Sequence, residues 1–81
     1  MIKILFFGQL KERLECADLN LEYAGEHTVV DVVQQLLERG EVWRPLAEND
    51  VLVAVNHTIC AFDATVRDGD EIAFFPPVTG G

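Results

Sequence analysis

Hydrophobic and polar positions change period several times along this chain, and each change marks an element. Residues 2–8 are nearly all aliphatic or aromatic and stop at Gly8, which predicts a strand. Lys3 marks its odd positions as solvent-facing, so Ile4 and Phe6 point inward and Phe7 outward. Residues 9–15 are mostly polar and read as a loop with a helical turn. From 17 to 24 the alternation is clean, with Leu19, Leu21 and Tyr23 on one face and Asp18, Asn20 and Glu22 on the other, the pattern of a half-buried strand.

Over residues 28–39 the period becomes helical. Val29, Val32, Val33, Leu36 and Leu37 fall on one side, and Asp31, Gln34, Gln35 and Glu38 on the other. Valines are weak helix formers, so propensity alone argues for a strand. The ends decide for a helix, because Thr28 with Asp31 three residues on fits a capping box and Gly40 suits the position just past the last turn. A linker with Trp43 and Pro45 follows. Residues 50–56 then alternate Val51, Val53 and Val55 against Asp50, Leu52, Ala54 and Asn56. Asn56-His57 reverses the chain into a short strand over 58–62. Asp68-Gly69 releases a last strand over 70–75, which Pro76-Pro77 stop.

Strand, strand, helix, strand, strand, strand is the order of an α+β two-layer domain, a mixed sheet of about five strands with one main helix packed on one face. It is the β-grasp, ubiquitin-like order, expected to occupy residues 1–75 and leave 76–81 as a flexible tail. A single helix covers one face, so the other is wet or meets a partner. Glu71 sets the parity of the last strand, with Ile72 and Phe74 in and Phe75 out. With Cys60 and Phe62 inward, Ile59 is outward. Phe7, Ile59 and Phe75 are therefore predicted to form an apolar patch on the uncovered face, which suggests a partner.

With 81 residues there is room for one domain, and 49% hydrophobic residues with a mean hydropathy of +0.16 exclude a disordered chain. Lys plus Arg number 6 against 14 Asp plus Glu, a net charge of -8, which excludes nucleic acid and anionic membrane as partners. The apolar run over 2–7 is too short for a signal-peptide core and contains Lys3, and nothing approaches the ~20 apolar residues of a membrane span. A soluble, cytoplasmic domain is expected. Cys16 and Cys60 lie outside any CxxC arrangement, and with His27 and His57 they lack the paired spacing of a zinc site, so no metal is expected. Asp68-Gly69-Asp70-Glu71 lacks the spaced ligands of a calcium loop, and no phosphate-binding glycine loop or nucleophile–His–carboxylate set stands out.

The chemistry gathers at Phe74-Phe75-Pro76-Pro77-Val78-Thr79-Gly80-Gly81. No side-chain charge follows Glu71, so the expected charge at the tip is a terminal carboxylate. The prolines stiffen the exit from the sheet, and the glycines present no side chain to a narrow channel. At average glycine usage two adjacent glycines occur at a given place in roughly 0.5% of chains, which makes a purely accidental ending the weaker reading. A carboxylate becomes an electrophile only when its oxygen is made a leaving group, for example by adenylation with ATP.

Ile4-Leu5-Phe6-Phe7-Gly8-Gln9, Val53-Ala54-Val55-Asn56 and the whole stretch from Asp68 to Gly81 resemble the small subunits of molybdopterin synthase, a family of ubiquitin-like sulfur carriers. Residues 9–50 match in pattern more than in identity, and Cys60 stands where an aliphatic residue is expected. The resemblance implies that an activating enzyme of the ubiquitin-activating type adenylates Gly81, with ATP consumed by that enzyme and no cofactor bound by the chain. A sulfur donor enzyme then converts Gly81 to a thiocarboxylate. The loaded tail (Pro76, Pro77, Val78 and Thr79, with Gly80 supplying clearance) enters the large synthase subunit in a heterotetramer and gives its sulfur to cyclic pyranopterin monophosphate. Two deliveries build the dithiolene of the molybdenum cofactor. A thiamine-pathway sulfur carrier and a ubiquitin-like protein modifier share the fold and the ending, and are the alternative readings.

Overall fold

The computed structural model describes residues 1–25, 28–48 and 50–76. Five strands, β1 (Ile2–Phe6), β2 (Asp18–Leu21), β3 (Leu52–Val55), β4 (Thr58–Cys60) and β5 (Glu71–Phe75), form one mixed sheet in the order β2-β1-β5-β3-β4. β1 and β5 run parallel, with Ile4 opposite Ile72 and Phe6 opposite Phe74. The other three pairings are antiparallel. β5 lies in the middle, so the strand that leads toward Gly80-Gly81 is gripped on both sides. This is the expected β-grasp architecture.

The main helix, α2 (Val29–Glu38), buries Val29, Val32, Val33 and Leu36 in one cluster with Ile2, Ile4, Phe6, Ile72 and Phe74. Its start is the expected capping box. The Thr28 hydroxyl accepts from the Asp31 N–H at 3.3 Å, and the Asp31 carboxylate accepts from the Thr28 N–H at 3.0 Å. The first two helical N–H groups, of Val29 and Val30, donate to the carbonyls of Ala64 and Phe62 at 3.1 and 2.9 Å, so the loop after β4 satisfies donors that a helix start leaves open. Thr28→Ala should lower stability by about 1 kcal/mol, the usual worth of such a cap. A urea midpoint that falls with an unchanged slope is the expected reading, and an unmoved midpoint would show the cap to be idle.

Residues 9–15 are more regular than the expected loop with a helical turn. A two-turn helix, α1 (Gly8–Leu14), buries Leu10 and Leu14, which are four apart and so share one face. It ends in a Schellman arrangement: Glu15 takes the left-handed conformation at φ 52, its N–H donates to the Glu12 carbonyl, and the Cys16 N–H donates to that of Lys11. The linker with Trp43 and Pro45 is also ordered, as a 3-10 helix over Glu41–Ala47 that buries Leu46. Arg13 ties α1 to its end through a two-pronged contact with the Glu48 carboxylate, at 3.1 and 2.7 Å. That hydrogen bonding holds the Glu48 carboxyl below its ordinary pKa and raises Arg13. All five strands are shorter than the periodicity suggests, β1 to β4 ending at Phe6, Leu21, Val55 and Cys60 and β5 beginning at Glu71.

The aromatic core sits between sheet and helices. The rings of Phe6 and Phe74 stack at 5.9 Å, Trp43 leans on Phe6 at 5.7 Å, and Phe62 lies 6.3 Å from Phe74. Among the described residues no helix is long and apolar enough to cross a membrane.

Candidate functional site

The open face of the sheet follows from the strand register. Leu5 pairs with Ala73, Ala73 with Ala54, and Ala54 with Ile59, so one row of outward side chains crosses four strands. Phe75 pairs with Leu52 in the adjacent row, and the Phe7 ring stacks on the Phe75 ring at 5.0 Å with an interplanar angle of 8°. Phe7, Ile59 and Phe75 thus share one surface, with Phe7 43% and Ile59 63% exposed. Between them lies a shallow depression of about 200 Å³, lined by Leu5, Ala54, Ala73 and these three residues, with His57 and Glu71 at its polar edge. The small side chains of Ala54 and Ala73 leave the hollow, and the larger ones rim it. Leu5, Leu52, Ala54 and Ala73 extend the patch beyond the three residues expected. Their signal was the same parity that marks Phe7 and Phe75.

The polar edge is built by the reversal at Asn56-His57. Both residues have positive φ, 50 and 71, as a two-residue hairpin of the primed type requires. The Asn56 side chain accepts from the Glu71 N–H and donates to the Asp70 carboxylate, each at 3.0 Å, which fixes the turn on β5. The His57 imidazole lies 3.5 Å from the Glu71 carboxylate.

At the far end of β5 the described chain reaches Pro76. The Phe7 N–H donates to the Phe74 carbonyl at 3.1 Å, holding the end of β1 beside the end of β5. The Pro76 ring then lies over the backbone of Gly8. Pro77, Val78, Thr79, Gly80 and Gly81 lie outside the described residues.

No other part of the described chain gathers reactive groups. The Cys16 thiol contacts the Asp18 carbonyl at 3.2 Å, and Cys60 lies half-buried against the core with its sulfur 3.9 Å from the Val53 carbonyl. No three His, Cys, Asp or Glu side chains come together as a metal-binding group among the described residues, and His27 lies outside them. A larger groove of about 360 Å³ lies on the helix side between Val33, Leu37, Leu46 and Phe62, where the polar neighbours are Gln34 and Glu48. The Gln34 amide is not a nucleophile, and the Glu48 carboxylate is already engaged by Arg13, so the groove gathers no reactive pair.

A mixed five-stranded sheet with one helical layer, an open apolar face and its last strand, β5, at its centre defines a ubiquitin-like β-grasp domain. Residues 4–81 match the ThiS family, and the chain belongs to it. It is 44% identical to the molybdopterin synthase sulfur carrier subunit of Escherichia coli strain K12, over 100% of both chains. In fold it is similar to the crystal structure of SAMP1 from Haloferax volcanii, with a TM-score of 0.82 at 24% identity, covering 99% of this chain and 98% of that one. It is also similar to a chain in the complex of subunits 1 and 2 of molybdopterin-converting factor from Helicobacter pylori, with a TM-score of 0.67 at 22% identity, covering 99% and 97%.

Proposed function

We propose that this chain is the sulfur-carrying small subunit of molybdopterin synthase. The observation that carries the reading is the 44% identity, across both whole chains, to the Escherichia coli subunit of that name. In the proposed cycle the Gly81 carboxylate attacks the α-phosphate of ATP on an activating enzyme of the ubiquitin-activating type, releasing pyrophosphate and leaving an acyl adenylate. Sulfur at the oxidation level of sulfide, supplied by a donor enzyme, displaces AMP, and the chain now ends in a thiocarboxylate. Its sulfur anion is a soft nucleophile held by an acyl link, so it can be handed on without diffusing free. On the large subunit the sulfur passes to cyclic pyranopterin monophosphate, water returns Gly81 to a carboxylate, and a second loaded chain completes the dithiolene.

The open face suits this role. It is apolar, it adjoins the tail root, and it leaves the helical layer untouched when covered, so a partner can hold the domain while the tail reaches into a neighbouring channel. The Helicobacter pylori complex of subunits 1 and 2 supports the large subunit as that partner. Family membership alone is also compatible with a thiamine-pathway carrier, and the two readings separate on which acceptor takes the sulfur.

The test is intact mass after incubation with activating enzyme, ATP and a sulfur donor. The chain should gain the mass difference of one oxygen exchanged for sulfur, and should then support dithiolene formation with the large subunit. Isopeptide-linked conjugates in cell extracts, with no dithiolene formed, would favour a protein modifier instead.

A net charge of -8 implies that both partners present basic surfaces, with the acidic residues speeding encounter more than holding the complex. Stopped-flow association with the large subunit should slow as salt rises while dissociation changes little. Equal association rates from low to high salt would remove steering from the account.

A further inference from the structure

Gly8 stands at the junction of β1 and α1, at φ +58, and faces the tail root. A Cβ placed on it would sit 2.9 Å from Cγ and 3.3 Å from Cδ of Pro76. The first distance is shorter than non-bonded carbons tolerate, and the proline ring is tied into the backbone and cannot swing aside as a long side chain could. Pro76 is therefore seated on bare backbone. Beside it the Phe7 and Phe75 rings are stacked at 5.0 Å, and the Phe7 N–H is bonded to the Phe74 carbonyl at 3.1 Å. Residues 7 and 8 thus touch three consecutive residues, 74, 75 and 76, at the point where the chain leaves the sheet.

We propose that Gly8 is a positioning residue for sulfur transfer: its missing side chain makes the seat of Pro76, and with the Phe7–Phe75 stack this seat sets the direction in which the chain beyond Pro76 departs. The inference rests on the proposed sulfur-carrier role for its functional meaning, but its geometry does not. A reacting group at the end of a five-residue lead is sensitive to the angle at which that lead starts. Once a partner's channel holds residues 77–81, a tilt at Pro76 misaligns their entry to that channel, whereas the apolar patch on the sheet stays as it was.

Two variants test this, Gly8→Val, which fills the seat, and Pro76→Ala, which removes the ring that occupies it. Pro76 lies outside the buried cluster, so the second variant keeps the test open if the first folds poorly. Gly8→Val should bind the large subunit with little change in affinity, and in both variants single-turnover sulfur transfer at saturating large subunit should slow by about 10- to 100-fold, the range expected when a reacting group is misplaced by about 1 Å. Loss confined to melting temperature, with the rate per folded molecule unchanged, would make Gly8 merely structural and overturn the proposal. An independent arm uses no sulfur chemistry. Nuclear Overhauser contacts between the Gly8 α-protons and the Pro76 ring protons should be present in the parent, and the Pro76 ring shifts should change in Gly8→Val. Absent contacts in the parent overturn the seat. Clear contacts, in a parent that never acquires sulfur, uphold the seat and sink the proposed function.

Discussion

Without Gly81 the chain should acquire no sulfur. Incubated with activating enzyme, ATP and a sulfur donor, the shortened chain is expected to keep its mass while the parent gains one sulfur in place of one oxygen. Deletion moves the carboxylate back by one residue, ~3.3 Å of extended chain. That is as large as the ~3–3.5 Å separation at which reacting atoms must meet, so the acyl carbon falls outside the activating site. Adding one residue after Gly81 should fail as completely for a different reason, because the same carbon is then locked in a peptide bond. Gly80→Val should fail more softly, by crowding the channel and restricting the backbone. Among the described residues the buried cluster extends no further along the chain than Phe74, and all three variants are expected to melt with the parent. A chain lacking Gly81 that is sulfurated, and that supports dithiolene formation at the normal rate, would overturn the proposed chemistry.

The parts of this molecule that were legible beforehand are those in which a local signal and the tertiary fold agree. The valine-rich helix α2 was readable against its own propensities because Thr28 and Asp31 announce its start, and the structure closes that capping box. The open face was readable because one lysine and one glutamate, Lys3 and Glu71, betray the parity of two strands that turn out to be direct neighbours. Helix α1 was not readable to the same degree. It has only two buried apolar residues, and its left-handed end is occupied by Glu15 where a glycine would have marked the stop. The parallel pairing of β1 with β5 joins residues about seventy positions apart, which no local pattern encodes; without that register the row from Leu5 to Ile59 cannot be assembled. The seat of Pro76 on Gly8 lay hidden for the same reason. In the sequence Gly8 reads as the end of a strand, and only the fold shows what its missing side chain leaves room for.

Phe74 and Phe75 are adjacent in sequence, and their replacement by alanine should produce opposite phenotypes. Phe74 is fully buried, stacked on Phe6 and flanked by Phe62 at the centre of the core. Removing its ring should cost about 3–5 kcal/mol, the range for large-to-small changes at such sites. A chain of this length holds a total of only about 4–12 kcal/mol, so Phe74→Ala is expected to melt far below the parent or to lose its cooperative transition. Phe75 points the other way, onto the open face, where it stacks on Phe7 and pairs with Leu52. Phe75→Ala should leave the melting temperature close to that of the parent but weaken binding to the large subunit by about 2 kcal/mol, roughly 30-fold, as for an interface anchor. Because the exposed Phe7 ring and the half-buried Phe75 ring touch, Phe7→Ala and Phe75→Ala should not add. The coupling in a double-mutant cycle on affinity should be about 0.5–1.5 kcal/mol, the worth of an aromatic pair. Calorimetric titration of the folded variants, beside their thermal melts, reads both quantities. A collapse of stability in Phe75→Ala with affinity unchanged in the surviving folded protein would move Phe75 into the core and remove the sheet face as the docking surface.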